Sequence, residues 1–240
     1  MSISESKGSP SPEQTRRMVI RFVIREIMGV VVLGVILFLA AGTMNWPMGW
    51  ALVIITFAWA MATLLVSIKR HPELLAERTG PRKGSKSTDT AIMGIVGLLT
   101  VARSVVAGLD LRYGWTQAIP FALQLAMLVI AVLGYALVVW ATASNRFFSQ
   151  IVRIQKERGH TVASGGPYRF VRHPAYVGTM LHELSAPIML GSWWALIPGA
   201  VNFFLFILRT ALEDRTLQVE LGGYSEYAKQ VRYRLLPGVW

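Results

Sequence analysis

The sequence contains no cysteine, which removes disulfides, thiolate metal sites and cysteine nucleophiles. Charge is scarce: only 15% of residues are Asp, Glu, Lys or Arg, against about 25% in soluble domains. Acid is scarcer still, with 13 carboxylates facing 24 Lys and Arg. Hydrophobic residues make up 53% of the 240 positions, and the mean hydropathy is +0.47. Such a chain lacks the polar surface of a water-soluble domain, so the membrane class is the better starting point. Several catalytic signatures are also missing. GxSxG, HExxH, Walker A and GxGxxG sequences do not occur, which withdraws support for common hydrolase, zinc-protease, P-loop and Rossmann chemistries. The histidines, His71, His160, His173 and His182, show no metal-ligand spacing, so no metal is expected. The first residues lack the apolar stretch of a signal peptide, and residues 1–17 are expected to form a disordered tail.

Long apolar runs fill the gap. Spans of about 20 apolar residues mark bilayer-crossing helices. Four are clear, near Phe22–Thr43, Gly49–Ile68, Ala91–Leu109 and Pro120–Ala143, within an N-terminal region of residues 18–142. Two shorter runs, Tyr176–Leu190 and Trp193–Leu208, are split by Gly191-Ser192. They read either as two short crossings or as one helical hairpin dipping into the bilayer. The expected fold is therefore all-α and polytopic, with about six spans.

The basic residues orient it. With the N-terminus inside and every run crossing, all but two of the 24 Lys and Arg fall on the inner side. The exceptions are Arg112 in an outer connection and Arg103 within a span. The positive-inside rule then puts both termini in the cytoplasm, in a bacterial-type inner membrane. It also reads the net charge of +11 as topology, with lipid headgroups rather than nucleic acid as counter-charge. Trp46, Trp50, Trp115, Trp193 and Trp194 fall at the outer ends, as an aromatic belt would. Outer connections are short, and polar mass gathers inside. A site for a water-soluble ligand belongs on the cytoplasmic face, in residues 143–240.

Two inner segments carry chemistry. The first, Asn145–Tyr176, opens with an apolar–polar mixture over Phe147–Lys156, expected to lie amphipathically at the interface. It continues through the turn formers Gly159, Gly165, Gly166 and Pro167 to "RHPAY". Pro174 suits the first turn of a helix, whose free N–H groups favour anions. A plain tight turn and an interfacial anchor are the bland alternatives. The second segment begins at Arg209. Its adjacent acids Glu213 and Asp214 point about 100° apart on a helix, so one can face a ligand while the other takes a cation. Pairing within the helix, to Arg209 and Arg215, is the bland alternative. Inside the spans, Arg103 is expected to snorkel toward Asp110 at the outer surface. His182 and Glu183 lie deeper and are functional candidates.

Together "GHTVASGGPYRFVRHPAYVG" and "RTALEDRTLQVELGGYSEYAKQVRYRLLPGVW" resemble the isoprenylcysteine carboxyl methyltransferase family, whose wider group includes phospholipid N-methyltransferases. The resemblance covers roughly Trp140 to Trp240. It implies a membrane methyltransferase that binds S-adenosylmethionine at the cytoplasmic face and takes a lipophilic acceptor from the bilayer. The cofactor-binding residues it implies are His160, Gly166, Pro167, Tyr168, His173, Pro174, Tyr176, Glu213 and Asp214, the last standing where the family usually has Glu. Arg172, His182 and Glu183 are the catalytic candidates. Arg172 suits bidentate binding of a carboxylate, and His173, His182 or Glu183 suits a base if the acceptor is an amine or alcohol. Two other classes stay open: a transporter or scaffold without catalysis, and a nicotinamide-dependent membrane reductase.

Overall fold

The computed structural model describes residues 12–71, 74–75 and 86–240. Lys7, Arg78, Arg82 and Lys83, counted above among the inner cations, lie outside them, as do residues 1–11 of the expected tail. The helices are α1 Pro12–Ala41, α2 Pro47–Arg70, α3 Ser87–Tyr113, α4 Phe121–Ser144, α5 Pro174–Met189, α6 Leu196–Glu220 and α7 Tyr224–Gln230. Among the described residues there is no strand. The first helix thus starts inside the segment expected to be a tail. Its opening turns hold an i,i+4 pair, Glu13 with Arg17 at 2.6 Å.

Five helices, α1 to α4 and α6, are long and apolar enough to cross a membrane. At about 1.5 Å per residue each exceeds the ~30 Å hydrocarbon core. The chain is an all-α polytopic membrane protein. Its outward-facing side chains fit that medium: Leu39, Leu98 and Phe204 project from the bundle. Helix α5 has only 16 residues.

The bundle has a basic end and a tryptophan-bearing end. At the basic end, His71 Nε2 lies 3.1 Å from the Ala143 carbonyl, and Lys86 pairs with Glu220 at 2.7 Å. At the other end, Asp110 accepts the Thr116 N–H at 2.7 Å and the Ser192 hydroxyl, and Thr116 Oγ1 accepts the Trp193 N–H at 3.1 Å. The α5–α6 turn therefore reaches the level of the α3–α4 connection. Trp50, Trp115, Trp193 and Trp194 are exposed there, but Trp46 is buried. Its ring packs on Gly49, where a Cβ would stand 2.9 Å away, so it serves the core and not the belt.

Helix α5 is the most enclosed element. A Cβ on Gly178 would stand 2.3 Å from the Gly134 carbonyl oxygen, and one on Gly199 would stand 2.5 Å from that of Glu183. Small residues thus let α4 and α6 approach α5 almost backbone to backbone, the usual device where lipid removes the hydrophobic drive between helices.

Residues 145–155 hold most of the segment expected to lie amphipathically at the interface. They form irregular chain whose Phe147, Ile151 and Val152 turn inward and are buried. The fully buried Gln155 side chain donates to the Phe147 carbonyl at 2.7 Å, and Arg158 donates to Gln155 Oε1 and to the Arg146 carbonyl. These polar crosslinks hold the irregular chain in place of a helical ladder.

Candidate active site

The start of α5 is set by its sequence. Pro174 occupies the first turn, and the His173 carbonyl accepts the Tyr176 N–H at 3.1 Å. The chain before it is tied to the C-terminal segment, since the Arg172 and His173 N–H groups donate to the carbonyls of Tyr233 and Arg234 at 3.0 and 2.9 Å. Helix α6 passes alongside, and α7 closes the assembly. A cleft at the basic end is lined by the 145–163 segment, Tyr168, Arg172, His173, Tyr176, Glu213, Leu217, Tyr224 and Tyr227.

The two adjacent acids divide their work as helix geometry requires. Asp214 is fully buried. It accepts Arg172 Nε at 2.8 Å and Nη2 at 3.1 Å, Arg234 Nε at 2.9 Å, Tyr224 OH at 2.9 Å and Gln218 Nε2 at 2.7 Å, and His173 Nε2 stands 3.3 Å away. That set saturates a carboxylate. Glu213 is half-buried on the cleft wall and accepts the Tyr176 hydroxyl. Its second oxygen remains for a ligand. Neither acid pairs within its helix as the bland reading had it. Arg209 turns to Asp89 instead, at 2.7 Å, because both sit on the buried face between α6 and α3.

Arg172 lines the cleft with its nitrogens engaged by protein groups. Besides Asp214, its Nη1 donates to the carbonyls of Val231 and Arg232, both at 2.9 Å, at the end of α7. It locks the C-terminal segment to α5 and α6. The Asp89–Arg209 pair does similar work on the other wall. Asp89 accepts the Val152 N–H at 2.9 Å, Arg209 donates to the Gln150 carbonyl at 2.7 Å, and its guanidinium stands 5.3 Å over the Tyr176 ring.

The walls are aromatic. His173 stacks on Tyr176 at 5.8 Å, and Phe147 meets His160 at 4.5 Å. Burial, reinforced by Arg158 and Arg153, pulls the His160 pKa from 6.5 down to about 4. His160 Nδ1 accepts the Gln155 N–H at 3.2 Å, which assigns the proton of the neutral ring to Nε2. Burial raises the phenols of Tyr168, Tyr224 and Tyr227 above their ordinary range, so they act as neutral hydrogen-bonding groups.

The structure thus brings His160, Tyr168, Arg172, His173, Tyr176 and Glu213 to one cleft. It leaves the others outside the lining. Asp214 lies behind it. Pro174 sets the helix start. Gly166 has φ +57° and sits where a Cβ would stand 2.1 Å from Ser144 Oγ, so this glycine and Pro167 fit the chain against α4 and not against a ligand. His182 and Glu183 lie about two turns deeper along α5, outside the lining. They are held with Arg103, which does not snorkel to Asp110: it pairs with Glu183 at 2.6 Å, buried. Sequence reading missed Asp89, Arg234, Tyr224 and Tyr227. Only the Tyr224–Tyr227 spacing, three apart on a short helix after Gly222-Gly223, offered a signal.

Comparison with known proteins converges on one family. The model of the isoprenylcysteine carboxyl methyltransferase (ICMT) family matches residues 125–219. The protein-S-isoprenylcysteine O-methyltransferase of Schizosaccharomyces pombe is 33% identical over 90 residues, 37% of this chain and 38% of that protein. Form B from Arabidopsis thaliana is 30% identical over 90 residues, covering 37% and 46%. The Saccharomyces cerevisiae enzyme is 29% identical over 129 residues, covering 50% and 52%. The matched part thus spans about half or less of these relatives' length. A solved structure of the eukaryotic intramembrane Ras methyltransferase ICMT has the same fold over 94% of this chain and 93% of its own, with a TM-score of 0.50 at 17% identity. Residues 125–219, which take in most of α4, all of α5 and nearly all of α6 with Glu213 and Asp214, are thus similar to the isoprenylcysteine carboxyl methyltransferase family.

Proposed function

We propose that this cleft binds S-adenosylmethionine and that the chain is an integral-membrane methyltransferase for a lipophilic acceptor. The acceptor class best supported is an S-isoprenylated cysteine carboxylate, the substrate that the relatives' names give. The carrying observation is Glu213, whose carboxylate has one oxygen engaged by Tyr176 and the other available on an aromatic cleft wall. That set of acceptors suits a ligand with hydroxyls, an ammonium and a sulfonium. When bound, the cofactor supplies an electrophilic methyl group.

The protein's own residues then bind, orient and exclude water. Glu213 accepts hydrogen bonds from the ligand's hydroxyls or ammonium. Tyr176 fixes the Glu213 rotamer, and the ring of Tyr168 favours a cation by cation–π attraction, the Tyr176 ring being already engaged by Arg209 and His173. Asp214 holds Arg172 and His173 in register. The inward-turned 147–155 segment and α7 keep water out. A carboxylate acceptor already carries its nucleophilic lone pair, so positioning supplies the rate and no side chain needs to remove a proton. His173, held by Asp214 and Tyr224, is then a positioning group. Nicotinamide reduction draws less support, because Arg172, the best candidate for a phosphate, is taken by Asp214.

The basic end faces the cytoplasm in this reading, as the distribution of Lys and Arg favours, with six crossings, both termini inside and a bacterial-type inner membrane as the setting. The test of the reaction is transfer of labelled methyl from S-adenosylmethionine to N-acetyl-S-farnesylcysteine or to phosphatidylethanolamine in purified membranes. The expected product is a base-labile ester of the first. A base-stable product from the amine would transfer the reading to the phospholipid branch. No transfer to either would end it.

A further inference from the structure

A second polar cluster lies deep in the bundle, away from the cleft. Arg103 on α3 donates to Glu183 Oε2 at 2.6 Å, and Asn202 Nδ2 on α6 donates to the same oxygen at 3.0 Å. Arg103 Nη2 lies 3.5 Å from His182 Nε2, and the Tyr135 hydroxyl lies 3.0 Å from it. Arginine can only donate, so Nε2 accepts and the proton of the neutral ring is on Nδ1. Tyr135 is stacked on His182 at 4.3 Å, and Trp59 of α2 on Tyr135 at 4.9 Å. Arg103, His182, Glu183 and Asn202 are each at most 4% exposed.

Among the described residues, the buried side-chain atoms without a hydrogen-bond partner are Trp59 Nε1, Thr63 Oγ1, Arg103 Nε, His182 Nδ1 and Asn202 Oδ1. Arg103, His182 and Asn202 belong to this one cluster, and Trp59 joins it by stacking on Tyr135. A buried polar atom left unsatisfied carries the full desolvation penalty of that group, and four together weigh heavily against marginal stability. Native proteins resolve such groups with a bound partner.

The chemistry of the unmet atoms selects that partner. Three are donors and one is an acceptor. A metal cation finds no ligand in donors. An anion would add net charge where Arg103 and Glu183 already cancel, which is costly deep in an apolar bundle. Water accepts from two donors and donates to two acceptors. Three donors exceed the two acceptor positions of a single molecule. We propose that this cluster is an internal hydration site holding at least two water molecules between Trp59, Arg103, His182 and Asn202. It joins the part matched by the family model, through Tyr135, His182, Glu183 and Asn202, to helices before it, through Trp59 and Arg103. The inference stands apart from the methyl-transfer reading.

The test is X-ray hydroxyl-radical labelling of the full chain in lipid nanodiscs, where bound water generates radicals beside otherwise inaccessible side chains. His182, as buried as the controls, is expected to label several-fold faster than Trp46 and Phe22 after correction for intrinsic reactivity, while the partly buried Tyr135 and Trp59 report the change between wild type and variants. His182→Phe keeps a ring to stack on Tyr135 but removes both nitrogens, and Asn202→Leu removes the unmet acceptor. Each is expected to lower Tyr135 labelling toward the controls. Wild-type labelling no faster than the controls overturns the proposal. So does labelling unchanged in both variants. If neither variant folds, the wild-type comparison alone decides.

Discussion

Adjacent acids on one helix turn have opposite fates, and the difference is measurable. Asp214 pairs with Arg172 and Arg234 in a buried network. Removing one partner of a buried charge pair costs about 3–5 kcal/mol. Asp214→Asn is therefore expected to lower the melting temperature in detergent by many degrees, whereas Glu213→Gln leaves it near wild type. Equal melting shifts for the two would contradict this division. His160 gives a pH signature. Its folded pKa is depressed to about 4 from 6.5, so the unfolded chain binds more protons in that window and stability rises with pH. The contribution of the neutral ring is complete above pH ~6.5 and is lost as pH falls toward 4. His160→Phe is expected to flatten the fall in melting temperature between pH 7 and 4.5, and an unchanged fall would refute the assignment. Sequence alone made the split of Glu213 and Asp214 legible, because it follows from 100° per residue. It did not say which acid takes which role. The partners that decide it, Arg234 and Tyr224, come from a tail whose return to α5 leaves no periodic signal.

At the scale of elements, close helix approach is set by glycines. Gly178→Leu is expected to abolish folded protein, since even a Cβ there meets the Gly134 carbonyl oxygen at 2.3 Å, while Gly94→Leu, with nothing within 4 Å, is expected to be tolerated. Size-exclusion profiles of the two variants check the contrast, and a folded Gly178→Leu would break it. The apolar runs located every long helix, because lipid demands length and hydrophobicity together. But α1 starts ten residues before its run and α6 ends twelve residues after its own, where the helices continue into polar sequence. The irregular path of the 147–156 piece was not legible in its apolar residues, because Gln155 and Arg158 satisfy its backbone carbonyls through side chains. Arg103 was misread because its partner, Glu183, lies 80 residues away and not on its own helix.

For the whole molecule, the lack of cysteine is an advantage. Single cysteines can report sidedness without background. In intact cells, Gln117→Cys and Trp194→Cys are expected to react with an impermeant maleimide, and Gly222→Cys only after lysis. A Trp194→Cys that labels only with Gly222→Cys would turn α5 and α6 into a re-entrant hairpin open to the cytoplasm. Such a result would reverse the proposed path of these two helices, though not the cleft, whose residues gather at the basic end in either topology.

The central claim is that the Glu213 cleft holds the methyl donor. Its most direct test is calorimetric titration of S-adenosylmethionine into the purified chain in nanodiscs, beside Glu213→Gln. A charge-assisted hydrogen bond contributes about 1.5–3 kcal/mol, so the variant is expected to bind roughly ten- to a hundredfold more weakly with its melting temperature intact. Wild-type protein that shows no binding, or a folded Glu213→Gln that binds as tightly as wild type, would contradict the assignment.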